Sequence, residues 1–198
     1  EVMRVYGFNQ IKIGKSMRSS LSYQQRPDRN KLQNMISDLL VANGVSEAMN
    51  NSLSSSHYYV ESKDFDETKL VKIHNPLSSE LDAMRMSLIF GLMESAKRNV
   101  NHKAKQIKLF EFGKTYSFEH PEKEIVTQQY KESHYLSMVY IGADLKDNWK
   151  TKTDELDFFS LKKIALRIIH KLGYNESQFK TSMIEDDKLS FGLQYSLN

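Results

Sequence analysis

Basic residues are the side chains of this sequence best suited to bind a charged ligand. Five of them fall within twelve residues that contain no acidic side chain: Lys97, Arg98, Lys103, Lys105 and Lys108. Such a run suits RNA, because each lysine or arginine that neutralises a phosphate releases counterions. Cations also lie favourably at the C-terminal end of a helix and stay solvated there. Composition leaves both interpretations open, an RNA contact and a solvated helix end.

Arg85 is the second candidate for a charged contact. The pattern around it predicts an amphipathic helix from about Ser79, which places Arg85 in the first turn. A cation near the positive end of a helix dipole is disfavoured by up to about 1 kcal/mol. We therefore expect a carboxylate or a phosphate beside Arg85. Asp82, three residues earlier, is the simplest local partner.

The residue types give little support for a metal site or a catalytic site. No two of the six histidines are three or four residues apart, so a zinc site is not expected. The sequence has no nucleophile elbow, no glycine-rich phosphate loop and no H-E-x-x-H. Asp144 and Asp147 are close enough to form a carboxylate pair, but exposed acids at a strand end are the simpler interpretation.

The composition is that of a soluble globular protein. The 198 residues are 39% hydrophobic and 27% charged, with a net charge of +3, and they suffice for one domain with its own core. No cysteine is present, which excludes disulfides and favours the cytoplasm. We expect no membrane association, because no apolar run is long enough to span a bilayer. The missing initial methionine and the strand-like end, 189–197, indicate a fragment of a longer protein.

Helical and strand patterns alternate along the chain. A helix is predicted from Asp28 to Asn43, with apolar residues at three- and four-residue spacing. We expect strands at 45–53 and 69–76, a loop at 54–68, and then the helix that begins near Ser79. The apolar stripe of that helix comprises Leu81, Met84, Leu88, Leu92 and Ala96.

The second half predicts a long strand pair and a further helix. The segments 106–118 and 134–145 alternate like strands, 157–174 is amphipathic, and two short strands follow near 180–184 and 189–195. Neighbouring strands joined by short connections favour an antiparallel sheet with helices against one side. The predicted fold class is therefore α+β.

Three stretches resemble one protein family. "NPLSSELDAMRMSL", followed by Asn99 and "LFEFGKTYSF", is similar to the N-P-x-S-x-E-x4-R-x-S-L, N and F-E-x-G of the bacterial phenylalanyl-tRNA synthetase β subunit. "EVMRVYGFNQI" looks like the end of the helical domain that precedes the core of that subunit. "DELDFFSLKKIALRIIHKLG" is similar to its D-F-F-D-L-K-G helix, from which it departs at Ser160 and Lys163.

The resemblance implies a fold and partners. Residues 28–198 would form a class II synthetase-like core, an antiparallel sheet flanked by helices that is incomplete at the C-terminus. Residues 1–27 would be the end of the preceding domain and a linker. In the family the enzyme is an α2β2 assembly, whose α subunit uses ATP and Mg²⁺ to charge tRNA(Phe) with phenylalanine. The resemblance places the α interface on Asp28–Asn43 and Val45–Leu53.

The resemblance also implies that this core is inactive. Catalytic class II domains hold the ATP α-phosphate with an arginine, and Ser117 occupies the matching position in Gly113–Ser117. A hydroxyl cannot replace a guanidinium. We therefore expect no catalytic or cofactor-binding residue here, and a structural or assembly role instead. A stand-alone RNA-binding or regulatory domain is the alternative, and an active adenylate-forming enzyme is the third hypothesis.

Four further residues take roles from the resemblance. Glu1 matches the last ligand of a magnesium site whose other ligands lie outside this chain, so neither Mg²⁺ nor ATP is expected to bind here. Arg85, Asn99 and Glu111 are expected to be structural or interface residues, with a salt bridge from Arg85 to Glu111 preferred. The basic run would make at most a secondary tRNA contact.

Overall fold

The computed structural model describes residues 1–7, 27–62, 64–143, 156–184 and 189–197. Its helices are α1 (Val2–Tyr6), α2 (Arg29–Ala42), α3 (His57–Ser62), α4 (Ile89–Asn101) and α5 (Phe158–Lys171). Its strands are β1 (Ser46–Glu47), β2 (Leu53–Ser54), β3 (Ala83–Met84), β4 (Gln106–Phe118), β5 (Tyr130–Gly142), β6 (Phe179–Met183) and β7 (Leu193–Leu197). Asp144 and Asp147 lie outside the described residues.

The long hairpin of β4 and β5 is the centre of the fold. The two strands pair antiparallel along all thirteen residues of each, from Gln106 opposite Gly142 to Phe118 opposite Tyr130. β1 adds a parallel strand on the other edge of β4. The sheet is therefore mixed rather than wholly antiparallel, because about sixty residues separate β1 from β4 and allow a crossover.

Helices cover both faces of this sheet, and not the single face that the sequence predicted. Alternate residues of β4 point to opposite sides, so that Phe110 contacts one cluster and Ile107 another. The first cluster joins the sheet to α2 and α5 and contains Ile36, Leu40, Val45, Phe110, Ile164 and Ile168. The second joins it to α4 and contains Leu92, Ala96, Ile107 and Val139.

Local signals determine the ends of α2 and α5. Asp28 caps α2 by accepting hydrogen bonds from the backbone N–H groups of Asn30 and Lys31, and the chain leaves the helix through Gly44 at φ 75°. Asp157 caps α5 through the N–H of Ser160. The helices predicted from Asp28 to Asn43 and over 157–174 are confirmed, as is the strand 106–118.

The helix predicted from Ser79 is wrong over its first ten residues. α4 begins at Ile89, and the segment before it consists of turns and bends around the short strand β3. There β3 pairs with β2, and the N–H of Met84 donates to the carbonyl of Val71. Pairing with distant backbone thus prevails over the apolar spacing, and Leu81, Met84 and Leu88 lie outside the helix.

Three further predictions need correction. The segment 54–68 was expected to be a loop, yet it contains α3, which packs Tyr59 against Leu70 and Ala83 in a third cluster. The strand expected over 69–76 is a single bridge from Lys72 to Ala83. The strand 45–53 is divided into β1 and β2, because the chain between them leaves the sheet to bind a buried carboxylate.

Candidate functional site

The strongest polar feature of the described residues is a buried ion pair beneath α4. Arg85 is 7% exposed, and its Nη1 donates to Oε1 of Glu111 at 2.6 Å. Its Nε donates to the carbonyl of Lys114 at 2.9 Å. Weaker bonds lead from Nη1 to the carbonyls of Asn50 and Asn51, at 3.4 and 3.3 Å. Charged groups are stable in a protein interior when paired and hydrogen-bonded in this way.

Asn50 completes the coordination of the Glu111 carboxylate. Its side-chain Nδ2 donates to Oε2 at 2.7 Å, and its backbone N–H donates to Oε1 at 3.3 Å. Ser95 of α4 in turn donates to Oδ1 of Asn50 at 2.7 Å. The network therefore ties the link between β1 and β2, the residue after β3, helix α4 and strand β4 into one unit.

The backbone of Arg85 is held as firmly as its side chain. Its N–H donates to the carbonyl of Ser52 at 3.0 Å, and its carbonyl accepts from the N–H of Tyr116 at 2.9 Å. Arg85 is thereby a further backbone partner of β4, beyond the residues that pair with β1. A helical first turn at this position would lose both bonds.

The close approach of Arg85 and Leu88 to β4 explains why F-E-x-G ends in a glycine, Gly113. A Cβ on Gly113 would lie 2.4 Å from Nη2 of Arg85 and 2.7 Å from Cδ2 of Leu88. The guanidinium approaches β4 at the one residue of the strand without a side chain. This is a case of close approach rather than of unusual backbone angles.

The expectations for Arg85 are partly confirmed. The preferred salt bridge with Glu111 is confirmed, whereas the helical first turn and the local pairing with Asp82 are wrong. Asp82 instead accepts hydrogen bonds from the hydroxyl and the N–H of Ser56, at 2.6 and 2.7 Å. The roles of Asn50 and Ser95 were missed. Asn50 precedes Glu111 by 61 positions and Ser95 precedes it by 16, and no spacing rule connects residues so far apart.

A polar cleft of about 770 Å³ opens above this network. Arg85 and Asn50 lie at its base, and Tyr58, Glu94, Lys97 and Arg98 are among the residues that line it. The Tyr58 hydroxyl donates to Glu94, and this bond raises the pKa of the tyrosine above its ordinary value. Met49, at the rim, is 96% exposed.

The position matched to the phosphate-binding arginine is a neutral hydroxyl beside an ion pair. Oγ of Ser117 donates to Oε1 of Glu119 at 2.9 Å, and Nζ of Lys131 lies 3.3 Å from Oε2. The Ser117 hydrogen bond, followed by the contact with Lys131, holds the pKa of Glu119 below its usual value. The carboxylate is therefore ionised at neutral pH, and it pairs with the Lys131 ammonium group.

The structure divides the basic run between two faces of the sheet. Lys97 and Arg98 line the polar cleft on the α4 side, and Lys103 and Lys105 lie in the exposed turn after the helix. Nζ of Lys108 is 5.7 Å from the centre of the Tyr140 ring. Tyr140 packs on the α2 and α5 side, so the five cations do not form one surface.

This chain is similar to known proteins over most of its length. A family model described as the phenylalanyl tRNA synthetase beta chain CLM domain matches residues 15–192. The chain belongs to this family.

Phenylalanine–tRNA ligase β subunits are also among its curated relatives. The subunit of Bacteroides thetaiotaomicron is 33% identical over 192 residues, which are 94% of this chain and 23% of that protein. The subunit of Porphyromonas gingivalis is 31% identical over 190 residues, again 94% of this chain and 23% of the relative. The chain spans about a quarter of the length of these relatives.

The fold is also similar to that of a solved synthetase. A pyrrolysyl tRNA synthetase of Desulfitobacterium hafniense superposes with a TM-score of 0.58 at 14% identity, over 87% of this chain and 55% of that one. At such low identity the similarity concerns the fold alone. It places this β-chain domain on a tRNA-synthetase scaffold of mixed α and β structure.

The remaining predicted site residues of this β-chain domain lie at the surface. Glu1 is exposed at the start of α1, and no cluster of three or more acidic or histidine side chains suited to a metal occurs within the described residues. Glu1 alone does not fit a Mg²⁺ ion. Asn99 is exposed on α4 and donates to the carbonyl of Ser95 at 2.8 Å.

None of the described helices is long and apolar enough to cross a membrane.

Proposed function

We propose that this chain is a non-catalytic assembly module of a phenylalanine–tRNA ligase β subunit. On this proposal residues 28–198 form a class II-like core that supports a catalytic α subunit in an α2β2 enzyme of the cytoplasm, and residues 1–27 lead in from a preceding domain. ATP, Mg²⁺ and the charging of tRNA(Phe) belong to the assembled enzyme rather than to this chain.

The observation that carries the inactive role is the pair of Ser117 and Glu119. An adenylate-forming site needs fixed positive charge at the α-phosphate. Here the matched position offers a hydroxyl that is already bonded to a carboxylate. The Gly113 position is likewise filled, since the buried Arg85 lies against it and makes its bonds with protein groups.

Exposed apolar side chains support the expected subunit contact. Leu32 and Val41 of α2 are 38% and 59% exposed, and Met49 follows β1 at 96%. All three lie within the two segments that the family resemblance assigns to the α interface. Buried in a complex, such side chains are the kind that contribute most to stable association.

Light scattering after size-exclusion chromatography tests the assembly role. We expect the chain to form a stable complex with the cognate α subunit. The double variant Val41→Asp with Met49→Asp should weaken it, whereas Leu77→Asp, at a fully exposed apolar residue outside both segments, should not. Absence of a complex would favour the alternative, a stand-alone RNA-binding or regulatory domain.

Exchange of pyrophosphate into ATP tests the inactive role separately. The isolated chain should show no phenylalanine-dependent exchange. Measurable exchange that Ser117→Ala leaves unchanged would mean that a different residue holds the phosphate, and would overturn the proposal.

A further inference from the structure

Helix α5 carries an unusual charge pattern. Its fourteen residues, FFSLKKIALRIIHK, include no acidic side chain and five basic or histidine side chains: Lys162, Lys163, Arg167, His170 and Lys171. Phe159, Lys163, Arg167 and Lys171 recur every four residues. Four-residue steps follow one side of a helix at about 6 Å each, so one aromatic side chain and three cations form a row.

The cations of this row are exposed and little neutralised. Lys163, Arg167 and Lys171 are all exposed, and no carboxylate pairs with them among the described residues. Arg167 donates through Nη1 to Oδ1 of Asn43, which leaves most of its donors available. Two of the nearby acids have other contacts: Asp157 caps the helix, and Glu176 lies 3.8 Å from His170. Asp38 of α2 lines the same cavity as Lys171 but forms no ion pair with it.

An apolar groove runs beside the row. The space between α2 and α5 measures about 850 Å³ and is lined by Leu39 and Leu166 together with the row itself. Phe159, at one end, is 68% exposed. An exposed aromatic side chain among cations offers a flat face on which another ring can stack.

A solvated helix end accounts for only part of this pattern. The helix dipole favours cations in the last turn, which explains His170 and Lys171 but not Lys163, eight residues earlier. Relative to the D-F-F-D-L-K-G pattern that this helix resembles, Ser160 replaces an acidic residue and Lys163 a glycine. Both departures make the surface more positive in this chain.

We propose that α5 binds a single strand of RNA along this row. Successive phosphates lie against Lys163, Arg167 and Lys171, and a base stacks on Phe159. Cations that follow a backbone, joined to an aromatic platform, are the usual chemistry of single-strand binding. An acidic peptide would match the charge but has no particular use for an exposed aromatic ring. The inference does not depend on assembly with an α subunit.

Fluorescence anisotropy with a labelled single-stranded RNA of mixed sequence, about twelve nucleotides long, tests the proposal. Three phosphate contacts contribute about −2.1 to the slope of log affinity against log salt, or about a 20-fold loss between about 50 and 200 mM salt. The triple variant K163A/R167A/K171A should lose this contribution. Phe159→Ala should weaken binding about tenfold, with little change in the salt slope.

A second triple variant provides the matched control. K97A/R98A/K103A removes equal charge from the other basic region and should bind RNA nearly as the parent chain does. Lys163→Arg with Lys171→Arg should retain binding, and circular dichroism and thermal melting should show that all variants are folded. The proposal is overturned if the α5 triple variant binds like the parent, if the control loses as much, or if a glutamate-rich peptide binds and RNA does not.

Discussion

The two faces of the central hairpin are stabilised in different ways. Toward α2 and α5 the sheet buries aliphatic and aromatic groups, with Phe110 and Leu40 fully enclosed. Toward α4 it buries an aliphatic cluster at one end and, at the other, the Arg85–Glu111 pair. Apolar burial is non-directional and depends mainly on area, whereas the ion pair requires every donor and acceptor in position.

The difference shows how distant segments are aligned. The α2 and α5 face would tolerate modest repacking of similar volume. The Arg85 network joins four segments by hydrogen bonds of defined direction, and a shift of any one of them would break at least one hydrogen bond of a buried or half-buried polar group. The polar face therefore specifies the arrangement of the fold more narrowly than the apolar one.

The largest effect is expected from Arg85→Met. The substitution keeps much of the side-chain volume but leaves Glu111 charged and buried without its partner, which costs about 3–5 kcal/mol. Urea unfolding measures the loss. Lys114→Met, which removes a half-exposed contact with Glu132, is the control and should leave the free energy of unfolding nearly unchanged.

A double variant distinguishes pairing from packing at the same site. Arg85→Met combined with Glu111→Leu removes both charges and should recover much of the stability lost in Arg85→Met alone. If the double variant is no more stable than the single one, the ion pair is not what orders this face.

Leu40→Ala examines the apolar face. The side chain is completely buried, so the substitution should cost about 2–5 kcal/mol through lost burial and a residual cavity. Val41→Ala, at the neighbouring exposed residue, should cost much less. Equal losses from both would contradict the position of the core on this side of α2.

Gly113→Ala should have a smaller effect, because the added methyl group crowds Arg85 without removing either charge of the ion pair. The added Cβ would meet Nη2 and the Leu88 methyl group, and overpacking of this kind costs about 1–3 kcal/mol. In an Arg85→Met background the cost should fall. A double-mutant cycle of unfolding free energies measures the coupling, and strictly additive losses would mean that the guanidinium does not lie over the glycine.

The smallest expected effect is on the loss of stability at acidic pH. The Ser56 hydroxyl, followed by the Ser56 N–H, holds the pKa of Asp82 below its usual value. A depressed pKa in the folded state contributes stability that is complete above the unfolded-state pKa of about 3.9 and is lost as the pH falls through the folded-state pKa. Asp82→Asn should therefore lose less stability than the parent chain between about pH 6 and pH 3.

Asp38→Asn provides the comparison for that acid titration. Its side chain is exposed on α2 and makes no hydrogen bond among the described residues. Between about pH 6 and pH 3, the free energy of unfolding should fall more for Asp38→Asn than for Asp82→Asn. The reverse order would show that the Ser56 contact does not stabilise the charged form of Asp82.

The network around Arg85 shows how far sequence patterns extend. The pair with Glu111 was expected from the family resemblance, which matches Arg85 to the arginine of R-x-S-L and implies a structural partner for it. Asn50 and Ser95 were not expected, although the glycine of F-E-x-G could have indicated that a bulky group crosses the strand. Whether Arg85, Asn99 and Glu111 also contribute to a subunit interface stays a prediction.

Local sequence determined the elements whose signals lie within a few residues of one another. Asp28 and Gly44 set the ends of α2, period-two alternation set β4, and Asp157 with the apolar stripe set α5. Tertiary structure decided the backbone pairing of Arg85 with Ser52 and Tyr116, the parallel pairing of β1 and the division of the basic run between two faces. In each of these the deciding contacts join residues that are far apart along the chain. Local periodicity cannot report such contacts, because their geometry exists only once the sheet has formed.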